Sequence, residues 1–396
     1  MKMTYATALY SLTLLVTKGM SILLMPLILS RVPPEEFGRY TLMITAATLG
    51  STLISGGVRQ LYAVLSLTAP NHHALVTTLI ATSSLWGIGV SGVSISLAWL
   101  LGYPLHMTIL VIIMAYVIHL IEWYHQIAAY TSHTLRIALL SITQNTLALL
   151  FMYQYTRSAP TAYTLLYAQC ISIVPYLIAL TCHALTRIPH PFLPNTQHAK
   201  QATEFMPGVV ATWCTTQSTR WLLAQHDSLV AVGWYGLIDM LHTLWRTGWV
   251  LPFQHIHLPH LLKKITCDRS TIKTHLSSLG SIMLFLLCLL CIGWPLIGKP
   301  VAHYILPPAY APAIPLIPIA CIGNIWYWGA MICASIAQAQ GSHRKVSLYI
   351  MMQSAFHFGI TYGAIHSYGL MGAIGSWTIS QGMLGIMMYS CIHTKK

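Results

Sequence analysis

The chain has 396 residues, of which 56% are hydrophobic and only 7% are charged, and its mean hydropathy is +0.65. Soluble globular domains carry about 25% charged residues, so this composition excludes that class and indicates an integral membrane protein. Lys and Arg together number 20 and Asp and Glu only 7, which gives a formal net charge of +13.

Apolar stretches long enough to cross a bilayer recur along the chain, separated by short turns rich in Pro, Gly, His, Lys or Arg. A helical span needs about 20 such residues. In chain order, the pattern predicts twelve spans at 6–30, 37–58, 74–101, 105–126, 136–155, 161–185, 205–225, 230–254, 276–298, 311–338, 346–366 and 370–392. Strands of a membrane barrel would alternate polar and apolar residues, whereas Ile109 to Ile121 is almost continuously apolar, so helices are favoured.

The first predicted span carries Lys2 before it and continues as far as Leu29. It is too long for the core of a signal peptide, and no clear cleavage site follows, so we expect it to stay attached.

Basic residues are distributed unequally between alternate loops. One side carries thirteen Lys and Arg and the other carries four: Arg31, Arg39, Arg157 and Lys299. Cytoplasmic loops are enriched in Lys and Arg, so both termini of this multi-pass membrane protein are expected in the cytoplasm. Most of the basic excess adjoins membrane spans, where anionic lipid explains it, so nucleic acid is not expected as a partner.

A short sequence echo suggests an internal repeat. Phe37-Gly38-Arg39-Tyr40 opens the second span and Val232-Gly233-Trp234-Tyr235 opens the eighth, with the two glycines 195 residues apart. That separation is about half the chain, as expected for two six-helix halves facing a shared pathway. The predicted organisation is an N-terminal six-helix lobe at 1–200 and a C-terminal six-helix lobe at 201–396.

Three cations fall inside predicted spans, namely Lys18, Arg220 and Arg246. Insertion scales put the cost of each near the bilayer midplane at about 3 kcal/mol. Such charges require an anionic partner. Arg59, near the predicted inner mouth of the second span, is a fourth candidate, although ordinary enrichment of basic residues on the inner side also accounts for it.

Several segments resemble bacterial polysaccharide flippases of the Wzx type, in the multidrug/oligosaccharidyl-lipid/polysaccharide (MOP) exporter superfamily. In chain order they are Lys18–Leu27, Pro34–Tyr40, Gly56–Arg59, Asp227–Tyr235, Leu306–Ala313 and Ala339–Lys345. The resemblance covers essentially the whole chain and rests on the order and spacing of these degenerate segments. One departure is the short His226-Asp227-Ser228 connection with Trp234, where a Gly-Pro-rich turn is more usual.

The resemblance implies an all-α, MATE/MOP-like fold in a multi-pass protein of the bacterial cytoplasmic (inner) membrane. It also implies that the protein moves an undecaprenyl-diphosphate-linked oligosaccharide from the inner to the outer leaflet of that membrane. The oligosaccharide would be an O-antigen or capsule repeat unit of lipopolysaccharide or exopolysaccharide biosynthesis. Unpaired Lys and Arg within the membrane suit a diphosphate, because guanidinium forks onto phosphate oxygens. Predicted substrate-binding residues are Lys18, Arg59, Arg220 and Arg246, with Trp326 and Trp328 stacking on sugar. Each cation has an alternative explanation, in snorkelling or pairing with a carboxylate, and the aromatic residues have one in lipid contact or packing.

Two acids are candidates for ion coupling by H⁺ or Na⁺. Asp239 shares a helix face with His242 and Arg246, and Glu122 shares one with His119 and Gln126. The alternative for Asp239 is structural, namely neutralisation of a neighbouring cation.

Two other functions are weighed against the flippase. A multidrug antiporter of the same superfamily would need carboxylates for cationic substrates, and acids are scarce here. A membrane enzyme acting on lipid-linked glycans would need a catalytic loop, whereas the longest loops, 186–204 and 255–275, run only about twenty residues. The prediction is a transporter and not an enzyme, without metal or other cofactor apart from the coupling ion, and with membrane lipids and polysaccharide polymerase or export machinery as candidate partners.

Overall fold

The computed structural model describes residues 25–65, 72–100, 102, 104–130, 134–174, 177–178, 196–245, 271–339 and 342–393. Within these ranges every regular element is a helix. The α-helices are α1 Pro34–Ser55, α2 Val58–Leu65, α3 His72–Leu100, α4 Leu105–Tyr130, α5 Thr134–Tyr155, α6 Ala162–Ser172, α7 Thr196–Thr203, α8 Met206–His226, α9 Leu229–Trp245, α10 Thr271–Gly293, α11 Lys299–Ile305, α12 Ile317–Ala339 and α13 His343–His393. A π-helical segment, Trp294–Gly298, joins α10 to α11, and a 3₁₀ helix, Pro308–Leu316, precedes α12.

Where they are described, the predicted spans from the second onward are largely helical. Residues 175–176 and 179–185 of the sixth span and 246–254 of the eighth lie outside the described residues. Of the first predicted span only the end is described, where residues 25–29 are helical. Within the part of the chain that the structure describes, four stretches are candidates to cross a membrane by length and composition: Thr78–Leu100, Leu105–Trp123, Ser277–Ile305 and Pro308–Ala337. Of the other predicted spans, the eighth coincides over Leu229–Leu241 with an apolar helix that is shorter than a membrane span. The seventh coincides with α8, which is more polar and whose Thr, Ser and Arg side chains include several that are buried inside the bundle.

Local sequence sets where α1 begins and ends. Pro34 occupies the first turn, where its missing N–H costs nothing, and Glu35 and Glu36 lie in that turn, where carboxylates stabilise the helix dipole. Arg39 bonds both acids, at 2.7 and 3.0 Å, on the exposed side. The helix ends at Gly56, which takes a left-handed conformation with φ of 51°.

The long helix α13 is a helical hairpin formed by the last two predicted spans. At Gly369 the backbone has φ 51° and ψ −131°, a combination open to glycine and strained for other residues. We call residues 343–368 the first arm and residues 370–393 the second arm. Their antiparallel packing is fixed by a hydrogen bond from Thr361 to Ser376 and another from Gln353 to Ser380.

The helices before and after α7 form two groups, which we call the N-terminal lobe (α1–α6) and the C-terminal lobe (α8–α13). The predicted boundary between residues 200 and 201 falls inside α7 and stays a prediction.

The two lobes touch where α1 and α9 begin, and we call this the crossing end. A Cβ placed on Gly38 would lie 2.0 Å from the Leu229 carbonyl oxygen, and one on Gly233 would lie 2.0 Å from the Pro34 carbonyl oxygen. Only glycine permits helices to approach this closely. The contact is reciprocal, since each glycine meets the carbonyl of the first or second turn of the other helix. The sequence echo therefore marks equivalent positions that pack against each other.

Apolar packing joins the lobes at the same end. One buried cluster contains residues of both lobes, among them Phe37, Leu223, Val232 and Tyr310. Toward the other end the buried residues form separate clusters, one around Trp328 in the C-terminal lobe and one around Trp123 in the N-terminal lobe. Polar side chains at the middle of the molecule therefore lie between lobes that are held together mainly at the crossing end.

Candidate functional site

An ion pair lies where the lobes face each other. Arg220 is on α8 and Asp239 is on α9, and Arg220 Nη2 donates to Asp239 Oδ2. The Arg220 side chain is only 8% exposed and that of Asp239 is 25% exposed. The prediction that Arg220 lies unpaired is therefore wrong for this conformation. Of the two interpretations of Asp239, the structure shows the contact that neutralisation of a cation requires.

Arg220 is held by both lobes. Its Nη1 donates to Thr45 Oγ1 on α1 at 2.8 Å and to Gln217 Oε1 on α8 at 2.5 Å. Its Nε is buried and has no hydrogen-bond partner among the described residues. The guanidinium thus bridges α8 and α9 to α1 and retains one donor that an incoming acceptor could use.

Two cavities border this pair. The first has a volume of about 240 Å³ and lies between the lobes, where Tyr40, Asn145, Gln169, Arg220 and Asp239 contribute its polar lining. Tyr40 donates a hydrogen bond to Gln169 across this cavity.

The second cavity, of about 200 Å³, lies within the C-terminal lobe. Its lining includes Gln217, Tyr235, Asp239, Tyr327 and Trp377. Asp239 borders both cavities, so its carboxylate connects the space between the lobes with the aromatic space behind it.

The aromatic residues of α12 point in different directions. Trp328 is 5% exposed and belongs to the apolar cluster of the C-terminal lobe. Trp326 lines a separate, almost wholly apolar groove with Met283 and Tyr389. The structure therefore brings neither tryptophan to the Arg220 pair.

Tyr327, between these tryptophans, faces the C-terminal cavity. Its ring centroid is 6.1 Å from that of Trp377 on the second arm. Tyr327 lies between the predicted residues Trp326 and Trp328 and is a sugar-stacking candidate from the sequence as well. Trp377 is not predicted, because no pattern of the sequence alone fixes which side of an apolar helix faces a cavity.

A second ion pair lies in the N-terminal lobe. Arg59 on α2 donates through Nη1 to Glu122 on α4 and through Nε to Ser55 Oγ at 3.1 Å. Ser51 Oγ also donates to Glu122, at 3.2 Å. Arg59, like Arg220, is therefore paired, and this pair does not border either of the two cavities described above.

The remaining predicted cations cannot be placed, since Lys18 and Arg246 lie outside the described residues. Their predicted roles, and those of Trp326, Trp328 and Glu122 in binding or coupling, stay predictions. Among the described residues, no group of three or more His, Cys, Asp and Glu side chains is arranged to hold a metal ion.

No protein-family model matches the chain, and no curated protein sequence matches it either. Solved structures do match over nearly its whole length. An inward-facing multidrug resistance MATE family transporter of the MOP superfamily superposes with a TM-score of 0.65 at 12% identity, covering 97% of this chain and 98% of that chain. The lipid II flippase MurJ in an inward closed conformation gives a TM-score of 0.68 at 12% identity, covering 99% and 87%.

The Vibrio cholerae MATE transporter VcmN in its bent form gives a TM-score of 0.59 at 14% identity, covering 99% of this chain and 97% of that chain. At these identities the likeness shows the fold. It confirms the predicted fold class, an all-α membrane protein fold like that of the MATE/MOP transporters. Proteins of this fold include both multidrug transporters and a lipid flippase, so the fold leaves the choice of substrate to the residues of the site.

Proposed function

We propose that this protein is a flippase that moves a diphosphate-linked lipid oligosaccharide across the bacterial cytoplasmic membrane by alternating access of its two lobes. The observation that carries the proposal is the position of Arg220: a nearly buried guanidinium that borders the cavity between the lobes and is bonded to both of them. Its chemistry suits a phosphate, because guanidinium donates two parallel hydrogen bonds to phosphate oxygens.

Asp239 gives this cavity a neutral resting form. An arginine without a counter-ion at this depth would cost several kcal/mol, and the carboxylate removes that cost while the cavity is empty. An entering diphosphate would replace Asp239 at Nη2 and gain Nε as a further donor. Thr45 and Gln217 would keep the guanidinium plane fixed during the exchange. Displacement of Asp239 from Arg220 would therefore be the first step of anion binding.

The glycan would lie in the C-terminal cavity. Rings of Tyr327 and Trp377 line it, and stacking of sugar faces on aromatic rings, with hydrogen bonds from Gln217, is suitable chemistry for a carbohydrate. These two residues are better placed for that role than Trp326 and Trp328. Lys18 and Arg246 remain candidates for further contacts with phosphate.

The resting membrane potential would assist outward movement. With the cytoplasm negative, each headgroup charge moved outward gains about 2.3 kcal/mol per 100 mV. Thirteen Lys and Arg on one side of the predicted topology support cytoplasmic termini. Polysaccharide polymerase or export machinery would then receive the translocated repeat unit.

One observation favours a second function, a multidrug antiporter. The Asp239 carboxylate borders both cavities and is more exposed than Arg220, so it is available to a cationic compound. In that case Asp239 would be the binding group and Arg220 its resting counter-ion.

The two functions predict opposite results for two isosteric substitutions. In proteoliposomes, the flippase loses transport of a fluorescent polyprenyl-diphosphate sugar with Arg220→Gln, and keeps it with Asp239→Asn. The antiporter loses efflux of a lipophilic cation such as ethidium with Asp239→Asn and keeps it with Arg220→Gln. Arg39→Gln is the matched control, because Arg39 forms its ion pairs on the exposed start of α1. Polyprenyl-diphosphate transport that survives Arg220→Gln would refute the proposed function.

A further inference from the structure

A row of buried polar side chains crosses the C-terminal lobe behind α8. Thr215 on α8 meets Gln353 on the first arm, with the two oxygens 3.2 Å apart. One turn farther along, Thr219 Oγ1 lies 3.2 Å from Nε2 of His357, whose side chain is fully buried. A buried titratable ring has no part in the anion exchange proposed for Arg220, so its presence needs another explanation.

The hydrogen bonds around His357 fix where its proton lies. Ser376 Oγ donates to the Ala373 carbonyl at 2.9 Å, and Thr361 Oγ1 donates to Ser376 Oγ at 2.9 Å. Thr361 has then used its only proton, so at its 3.3 Å contact with His357 Nδ1 it must accept. In its neutral form, His357 therefore carries its proton on Nδ1, and Nε2 then accepts from Thr219.

The Nε2 side of the ring leads to the cavity. Thr219 is also hydrogen-bonded to Tyr235 on α9, and Tyr235 lines the C-terminal cavity together with Asp239. Arg220 follows Thr219 directly in the chain. Two hydroxyl groups thus connect a fully buried imidazole with the cavity that contains the ion pair.

We propose that His357 is a proton-binding site, and that a proton from water in the C-terminal cavity reaches its Nε2 through the hydroxyls of Tyr235 and Thr219. Each hydroxyl receives one proton and passes one on, so the solvent loses one proton and the imidazole becomes an imidazolium. Thr219 changes from donor to acceptor at Nε2, and its own proton turns toward Tyr235. The Nδ1 hydrogen bond to Thr361 is unchanged.

The consequence for the cavity is electrostatic. Among the described residues, Thr219 joins this ring to Tyr235 on α9, and Tyr235 in turn lies near Arg220 and Asp239. On the other side, Trp377 joins the ring to Tyr327 on α12. A charge on His357 adds to that of Arg220 and so favours an anion at the cavity. A coupling of proton binding to transport rests on the proposed function, whereas proton binding itself does not.

The N-terminal lobe supplies a matched control. His119 is 3% exposed, and its Nε2 lies 3.2 Å from Ser83 Oγ. The His119 ring centroid is 6.3 Å from that of Trp123, edge to face, much as the His357 ring is 5.9 Å from Trp377. Each buried histidine therefore has a tryptophan beside it, and an imidazolium at this distance quenches indole fluorescence.

The test is a titration of tryptophan fluorescence from pH 8 to pH 4 in lipid nanodiscs. Wild type and His119→Gln are expected to show a reversible quench on acidification, and His357→Gln and Trp377→Phe are expected to lose it. Trp377→Phe retains the histidine, so it keeps the test valid even where His357→Gln does not fold. A quench that persists in either variant, or that disappears in His119→Gln alone, would overturn the proposal, as would a wild type without any quench.

Transport of the polyprenyl-diphosphate sugar at pH 6 and pH 8 separates the two proposals. A quench assigned to His357 without any lipid transport supports the proton site and refutes the flippase. Lipid transport without the quench supports the flippase and refutes the proton site.

Discussion

The ion pairs Arg59–Glu122 and Arg220–Asp239 have the same chemistry, a guanidinium with a carboxylate, and different surroundings. Arg59 and Glu122 both belong to the N-terminal lobe, and the Glu122 side chain is 42% exposed. Arg220 and Asp239 lie at the meeting of the lobes, and Arg220 also bonds to Thr45 on α1 of the opposite lobe. Movement of one lobe against the other would leave both ion pairs intact, because each pair lies within one lobe, but it would strain the hydrogen bond from Arg220 to Thr45.

The difference shows that the position of an arginine within a predicted span is a poor guide to its function. Both arginines lie on helices, and both pair with a carboxylate on another helix. What distinguishes Arg220 is that its partners come from two bodies that can separate. A charged side chain that is bonded to both lobes can couple ligand binding to their movement. A charged side chain whose partners all lie in one lobe stabilises that lobe.

The largest expected effect is a loss of folding stability when Arg220 is replaced, compared with a smaller loss when Arg59 is replaced. Arg220→Met leaves the partly buried Asp239 without its counter-ion and should lower the free energy of unfolding by about 3 kcal/mol. Arg59→Met should cost only about 0.5 to 1 kcal/mol, because water can solvate Glu122. Denaturant unfolding in detergent measures both. The double variant Arg220→Met/Asp239→Leu should recover part of the loss, and equal losses for the two single arginine variants would contradict the comparison.

The crossing end offers a second, steric test. Gly38→Ala places a Cβ against the Leu229 carbonyl, and overpacking of this kind costs about 1 to 3 kcal/mol. Because the clash exists only while the lobes are joined there, the substitution should favour opening at that end, seen as increased solvent accessibility of residues beside Gly233. Gly89→Ala, at a glycine with nothing within 4 Å of its added Cβ, is the control. Unchanged accessibility in Gly38→Ala would show that the crossing does not hold the lobes together.

Most of the fold could be predicted from the sequence, because bilayer thickness sets the length of an apolar helix. The described parts of the spans from 37–58 onward are largely helical, and the echo of Gly38 and Gly233 predicts equivalent positions. The arrangement of the candidate site could not be predicted in the same way. Arg220 and Asp239 are 19 residues apart on different helices, and only packing decides that they meet. The same holds for Tyr327, since neighbouring residues of a helix point about 100° apart and composition does not fix which one faces a cavity.

The smallest expected effect concerns the hydroxyl that ties Arg220 to the other lobe. Thr45→Val keeps the shape of the side chain and removes the acceptor for Arg220 Nη1, at a cost of about 1 kcal/mol. Its counterpart is Ser55→Ala, which removes the acceptor for Arg59 Nε within one lobe at a similar cost. If the Arg220 contact resists separation of the lobes, Thr45→Val alone should change the balance between joined and separated lobes by about fivefold, since about 1 kcal/mol corresponds to that factor. Pulsed electron resonance distances between labels on the exposed residues Tyr163 and Tyr304 would measure this balance. An equal shift in Ser55→Ala would mean that the contacts of Arg59 and Arg220 affect separation of the lobes to the same extent.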